Sequence, residues 1–136
     1  MLNVVKNTTW RLVAFIAYLA YPLQAQELEV DTDAPASQQP TIEVGANNVP
    51  IVNITTPSPG GVSHNTFKEY NVAKQGIVFN NNDDHDPSPE HGFSASHLTQ
   101  HPLFINENLQ GRAADIILTE VSGLNPSNLL GYTEIY

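Results

Sequence analysis

An all-β fold is predicted by three features of this sequence. Its apolar residues fall in short β-branched runs, those runs are punctuated by Asn, Gly and Pro, and no segment carries a 3.6-residue apolar period across a full helix length. Ten prolines and eight glycines among 136 residues reinforce the reading, because both favour turns over long helices.

The chain opens with a leader. Met1 to Arg11 holds Lys6 and Arg11 and no acid, Leu12 to Leu19 reads LVAFIAYL, and Leu23-Gln24-Ala25 ends small before the polar Gln26. This order is that of a secretory signal peptide spanning residues 1–25, cleaved between Ala25 and Gln26. The apolar run is shorter than the roughly 20 residues a membrane-spanning helix requires. Residues 26–44 follow as an acidic, proline-bearing stretch with few bulky apolar residues, which predicts a disordered spacer. The remainder, 45–136, is expected to be the folded part.

Within it, Ile51 to Thr55 alternates apolar and polar residues and ends at the turn-forming Pro57 to Gly61. Phe67 to Val72 is a second candidate strand, and Gly76 to Phe79 a third, stopped by an Asn-Asp run. Ile116 to Val121 and Leu129 to Ile135 supply two more. Ser96 to Leu103 is long enough for one or two helical turns before Pro102 interrupts. His64-Asn65 is expected to close a turn. Periodicity leaves sandwich, barrel and β-solenoid all open. Abundant Asn at turns leans towards stacked coils, where its amide bonds a neighbouring coil, although no fixed repeat is visible.

Charge and composition exclude several function classes. Without the leader, only Lys68, Lys74 and Arg112 stand against fourteen Asp and Glu. Such a surface repels phosphate backbones and anionic lipid headgroups, so no nucleic-acid partner is expected. There is no cysteine, hence no disulfide scaffold and no thiolate site. An exported chain that must cross a second membrane extended would be blocked by a bridge formed in an oxidising periplasm.

No catalytic or metal site and no cofactor is expected. Asp83-Asp84-His85-Asp86 with Glu90-His91, and the i, i+4 pair His97 and His101, resemble metal-ligand spacings, but Pro102 follows directly and no HExxH or EF-hand pattern is present. The bland reading is a solvated acidic loop. Ser63-His64 and Ser96-His97 each set a hydroxyl beside an imidazole, yet neighbours along a strand point to opposite faces and make no nucleophile–base pair. Asn108, Asn125 and Asn128 read as turn formers.

Several blocks resemble, in order and spacing, the two-partner secretion (TPS) domain of the filamentous haemagglutinin, haemolysin and contact-dependent inhibition toxin family. The first run covers Val49 to Pro57 with Asn53 and Pro57, Gly61 to Asn65 with Ser63, His64 and Asn65, Tyr70 to Val72 with Asn71 and Val72, and Gly76 to Asn81 with Asn80 and Asn81. Asn106-Glu107-Asn108-Leu109 resembles the family's NPNL motif with Glu107 in place of proline. Gly111 to Val121, including Glu120, follows, and then Asn125-Pro126-Ser127 and Leu130 to Ile135 with Gly131, Tyr132 and Glu134.

The resemblance implies a right-handed, single-stranded parallel β-helix, here with its amino-terminal coils and cap only, because the chain ends at Tyr136 before such a domain would be complete. It also implies an amino-terminal secretion signal of an adhesin, haemagglutinin or toxin. The Sec translocon and signal peptidase would handle the leader. An outer-membrane two-partner transporter of a Gram-negative bacterium would recognise Asn106 to Leu109 through periplasmic POTRA-type domains and pass the chain to the cell surface or medium. Host or neighbouring-cell contact would belong to a missing passenger. The alternative is a small secreted or periplasmic module binding metal or carbohydrate.

Overall fold

A computed structural model describes residues 28–83 and 95–136. The expected leader, the Ala25–Gln26 cleavage site and the acidic Asp84–His91 stretch lie outside the described residues. Among these residues, seven strands form two sheets: β1 (Leu28–Val30), β4 (Val62–Tyr70) and β6 (Ile116–Val121) in one, and β2 (Thr41–Val44), β3 (Pro50–Asn53), β5 (Ile77–Asn80) and β7 (Thr133–Ile135) in the other.

The pairing is that of stacked coils. β3, β5 and β7 run parallel, with Ile51 opposite Val78 and Val78 opposite Glu134. β4 and β6 run parallel from Val62–Ile116 to Phe67–Val121. A bridge between Val72 and Leu129 marks a short third face at the corner between the sheets. Each new strand lies on the strand one coil earlier, which is how a solenoid distributes its contacts.

The expected strands at 51–55, 76–79 and 116–121 are found within a residue or two. The other two change in extent. β4 begins at Val62 rather than Phe67, so His64 and Asn65 sit inside a strand and not at a turn, because parallel pairing with β6 supplies ladder bonds that the local sequence does not reveal. The last strand is confined to Thr133–Ile135, with Leu129 reduced to the isolated bridge.

Two further expectations are corrected. Residues 28–44 are not a disordered spacer. β1 pairs antiparallel with β4 and β2 with β3, and the Leu28 side chain enters the core. These strands cover the amino-terminal edges of both sheets, and burying that edge repays the ordering of an otherwise polar stretch. Ser96–Leu103 is not helical. It forms a tight turn in which Gln100 N–H donates to the Ser96 carbonyl at 2.8 Å and Gln100 takes a positive φ of 60°.

Strand alternation explains why β5 is buried at all four positions. Val52, Ile77 and Phe79 face the solenoid interior with Leu28, Ile54, Phe67, Val72 and Leu109. Ile51 and Val78 face outward, where Val49, Leu98, Leu103 and Tyr136 cover them. Leu98 and Leu103 of the β5–β6 connection therefore lie over the outer face of β3 and β5, so both faces of β5 are dry, as parallel sheets require. At the far end, β6 and β7 form the outer strands of their sheets, with Ile116 and Ile135 more than half exposed.

Candidate functional site

Motif asparagines form a hydrogen-bonded network around buried Asn80 and Asn106. Asn106 is 2% exposed, and its amide donates to the carbonyls of Ile54 at 3.0 Å and Asn80 at 2.9 Å. Its Oδ1 accepts from Asn108 N–H at 3.1 Å, which caps a 3₁₀ turn over Glu107–Leu109. Its own N–H donates to the Asn82 carbonyl. One side chain thus fastens the β5–β6 connection to the end of β5 and to the segment that follows β3. The turn then drives Leu109 into the core at 1% exposure.

Neighbouring asparagines extend the tie. Asn108 Nδ2 donates to the Asn53 carbonyl at 3.3 Å, and Thr56 Oγ1 donates to the Asn108 carbonyl. Asn80 Nδ2 donates to Asn53 Oδ1 at 2.8 Å and to the Phe104 carbonyl at 3.0 Å, an amide ladder between adjacent coils. Asn81 exchanges two bonds with Ala114, donating through Nδ2 and accepting at Oδ1. No buried side-chain polar atom among the described residues lacks a partner. A network satisfied this fully holds one arrangement, since any alternative strands an amide in a dry site.

A second polar stack lies under β4. Asn65 is fully buried, accepts from Thr55 N–H at 3.0 Å, and donates to Ser63 and to the Leu118 carbonyl of the next coil. Ser63 Oγ also meets Thr55 Oγ1 at 3.1 Å. Ser63 and His64 do project oppositely: Ser63 is buried, whereas His64 Nε2 meets Glu120 Oε2 at 2.7 Å on the outer face. The neighbouring imidazole is therefore not placed to activate the serine.

The remaining motif residues mark close approaches between coils. Gly61 adopts φ 81°, and its carbonyl accepts from both Asp115 and Ile116 N–H at the start of β6. Asn71 Oδ1 accepts from Asn128 N–H at 2.8 Å beside buried Val72, and Asn125 Nδ2 donates to Glu69. A Cβ on Gly131 would overlap the Ala73 carbonyl of the preceding coil. Pro57 lies half-buried between β3 and β4, while Pro126 and Tyr132 are exposed.

Glu134 clamps the 95–101 turn. Its carboxylate accepts from Ser96 Oγ at 2.8 Å, His97 N–H at 2.8 Å and Leu98 N–H at 3.0 Å. Partial burial pushes its pKa up, but the two backbone donors and the hydroxyl outweigh it and hold the carboxyl below the usual range. His97 and His101 are exposed positions of this turn and not the two imidazoles of one helical face.

One clasp escaped the sequence reading. Asp31 accepts from Ser122 Oγ and from Asp33 N–H, and Ser122 N–H donates to the Phe67 carbonyl. The Ser122 hydroxyl and the Asp33 N–H lower the Asp31 pKa. The Asp-Thr-Asp spelling signals a local Asx turn. Nothing local points to a partner 91 residues away.

The motif Asn106–Leu109 thus presents outward chiefly through Glu107, which is exposed, while Asn106 and Leu109 are inside. Glu107 occupies the first position of the 3₁₀ turn, where an N–H has no internal acceptor and proline is readily accommodated. Its replacement of the motif proline therefore leaves the turn intact.

The comparisons with known proteins agree with this architecture. The family model of the TPS secretion domain matches residues 26–136. The chain is 39% identical over 126 residues to the hemolysin of Proteus mirabilis, covering 93% of this chain and 7% of that protein. It is 39% identical over 136 residues to the filamentous hemagglutinin of Bordetella pertussis, covering 99% and 3%. It is 35% identical over 129 residues to the toxin CdiA of Yersinia pestis, covering 93% and 4%. The chain thus spans only a small fraction of the curated relatives it matches. The crystal structure of the filamentous hemagglutinin secretion domain superimposes with a TM-score of 0.62 at 39% identity, over 82% of this chain and 32% of that one. Stacked parallel coils, an asparagine-tied core, a family match over residues 26–136 and a β-helical structural neighbour converge: the chain belongs to the TPS secretion domain family.

Proposed function

We propose that this chain is the amino-terminal secretion signal of an exported adhesin, haemagglutinin or contact-dependent toxin. In this reading the leader is used by the Sec translocon and removed by signal peptidase after Ala25. The following residues are then recognised by the POTRA-type periplasmic domains of a two-partner outer-membrane transporter and delivered to the surface or medium of a Gram-negative bacterium. The observation that carries the reading is the match of residues 26–136 to a secretion-domain family, on a chain whose motif residues hold coils together.

Burial refines the role of the motif. In the folded coil Asn106 and Leu109 are inaccessible, so they serve the transporter only while the chain is extended, and afterwards they lock the first coils. The lack of cysteine suits threading, and parallel stacking suits folding on the far side, since each coil offers a template to the next.

The test is export of the chain, fused to a reporter, in cells with and without the transporter encoded beside it, together with binding to that transporter's purified periplasmic domains. Transporter-dependent appearance outside the cell supports the reading. Export that ignores the transporter, with no binding in vitro, refutes it and favours an independent periplasmic module.

A further inference from the structure

Residues 101–105 of the β5–β6 connection and the end of β2 enclose a groove of about 240 Å³. It is smaller than most ligand pockets and suits one small ring rather than a cofactor. Phe104 lines it at 91% exposure and stacks on no other aromatic ring among the described residues. Val44, also on the lining, is 74% exposed. An aromatic face exposed beside a concave polar site is a platform on which the apolar face of a ligand stacks.

The polar part of the lining is held in place by one buried amide. Asn80 donates to Asn53 Oδ1 at 2.8 Å and to the Phe104 carbonyl at 3.0 Å, and Asn53 Nδ2 in turn donates to a Glu43 oxygen at 2.9 Å. Asn80 thereby positions an amide, a carboxylate and the backbone that carries the ring. Three bonding capacities stay open among the described residues: the second Glu43 oxygen accepts, the second Asn53 N–H donates, and the ring of exposed His101 does one or the other at each nitrogen. The carboxylate and the amide sit side by side, so they accept from one hydroxyl and donate to its neighbour on the same ring. Lys68, Lys74 and Arg112, the Lys and Arg residues outside the leader, are absent from the lining, and Glu43 repels carboxylate, sulfate and phosphate groups. An apolar ring face, adjacent hydroxyls and no negative charge together describe a neutral pyranose sugar.

We propose that this groove binds a neutral pyranoside, with the apolar face of the sugar on Phe104 and two adjacent hydroxyls on Glu43 and Asn53. Coil closure brings Glu43, Asn53 and Phe104 together, so the sugar meets the folded chain, after export, and the site is separate from whatever reads the chain while it is extended. It gives the exported domain a glycan contact of its own. Sugar binding needs no transporter, so this assignment and the secretion reading fail independently.

Titration of the ¹⁵N-labelled full chain with methyl β-glucopyranoside, methyl α-mannopyranoside and methyl N-acetyl-β-glucosaminide, followed through backbone amide shifts, tests the assignment. At least one probe should give saturable shifts confined to residues 42–53 and 99–105, with a Kd on the order of millimolar, as its small size allows. Phe104→Ala and Glu43→Gln should each weaken that binding by about tenfold or more, and Glu43→Gln keeps an oxygen for Asn53. Tyr132→Ala, on another exposed surface, should bind within about twofold of wild type. Methyl glucuronide, a pyranoside with a carboxylate, should bind at least about tenfold more weakly than the best neutral probe. The amide spectrum of each variant reports whether it folds, and the wild-type shift map with the remaining variant decides if one does not. The proposal is overturned by the absence of shifts at about 50 mM of every neutral probe, well above the expected Kd. Shifts centred elsewhere, binding untouched by the Phe104 and Glu43 variants, or a glucuronide that binds as well as the neutral sugars overturns it equally.

Discussion

Replacing Asn106 with alanine tests the internal reading of the motif most directly. The substitution deletes two donated bonds, to Ile54 and Asn80, and one accepted bond, from Asn108 N–H. Each is worth about 0.5–1.5 kcal/mol net, and a buried carbonyl left without its donor adds to the cost, so a loss of about 2–5 kcal/mol is expected. Domains of this size hold about 5–15 kcal/mol in total, so the change consumes a large part of the margin. With a urea slope of about 1–3 kcal/mol/M, the unfolding midpoint should fall by roughly 1–2 M. Asn106→Asp separates bonding from volume. It keeps an acceptor for Asn108 but turns a carboxylate oxygen towards two carbonyls, so it should be at least as destabilising as alanine near neutral pH. Its folded-state pKa must then lie above the unfolded value, so stability should recover in acid, where an O–H can donate to one carbonyl, and be lost as pH rises through the folded pKa. The assay is urea denaturation followed by circular dichroism across pH. A midpoint shift below about 0.3 M for Asn106→Ala, or an aspartate variant without acid recovery, would refute the claim that this amide ties the coils.

Other outcomes follow from the same contacts. Glu107→Pro should stabilise by about 0.4–1 kcal/mol in urea titrations, because Asn106 before it is already extended at φ −83° and ψ 100° and position 107 begins a 3₁₀ turn. Gly131→Ala should lower the melting temperature and cost at least about 1–3 kcal/mol, since its Cβ must displace the Ala73 carbonyl of the coil beneath. Asp31 and Glu134 have depressed pKa values, so the stability they contribute is present above the ordinary carboxylate range near about pH 4 and is lost as pH falls through their lowered values. Ser122→Ala removes the first cause of the Asp31 shift and should flatten the acid limb of stability against pH. An unchanged limb would place the acid sensitivity elsewhere.

The Asp31–Ser122 clasp qualifies the picture of coil-by-coil folding. β4 receives its parallel partner only when β6 arrives, and the Asp31 carboxylate, on the cap that β1 already holds against β4, gains its long-range tie only when Ser122 is in place. Stacking is local in space, yet the long β5–β6 connection makes it distant in sequence. Contacts of that kind slow folding, because loop closure precedes the reward.

The sequence by itself determined that the chain is all-β, where most turns fall, and that β6 covers Ile116 to Val121. Those outcomes depend on β-branched runs and on Asn, Gly and Pro, whose conformational limits act within a few residues. The resemblance of its motif blocks supplied the coil architecture, which periodicity alone left open among three β classes. Only the tertiary structure decided that His64 and Asn65 extend a strand, that residues 28–44 order into a cap, and that Asn65, Asn80 and Asn106 point inward. In each case the deciding partner lies far along the chain: Leu118 for Asn65, Tyr70 for Leu28, Ile54 for Asn106. A polar residue spelled in a turn-rich sequence reads as exposed, and it becomes a core residue only when neighbouring coils offer carbonyls to satisfy it.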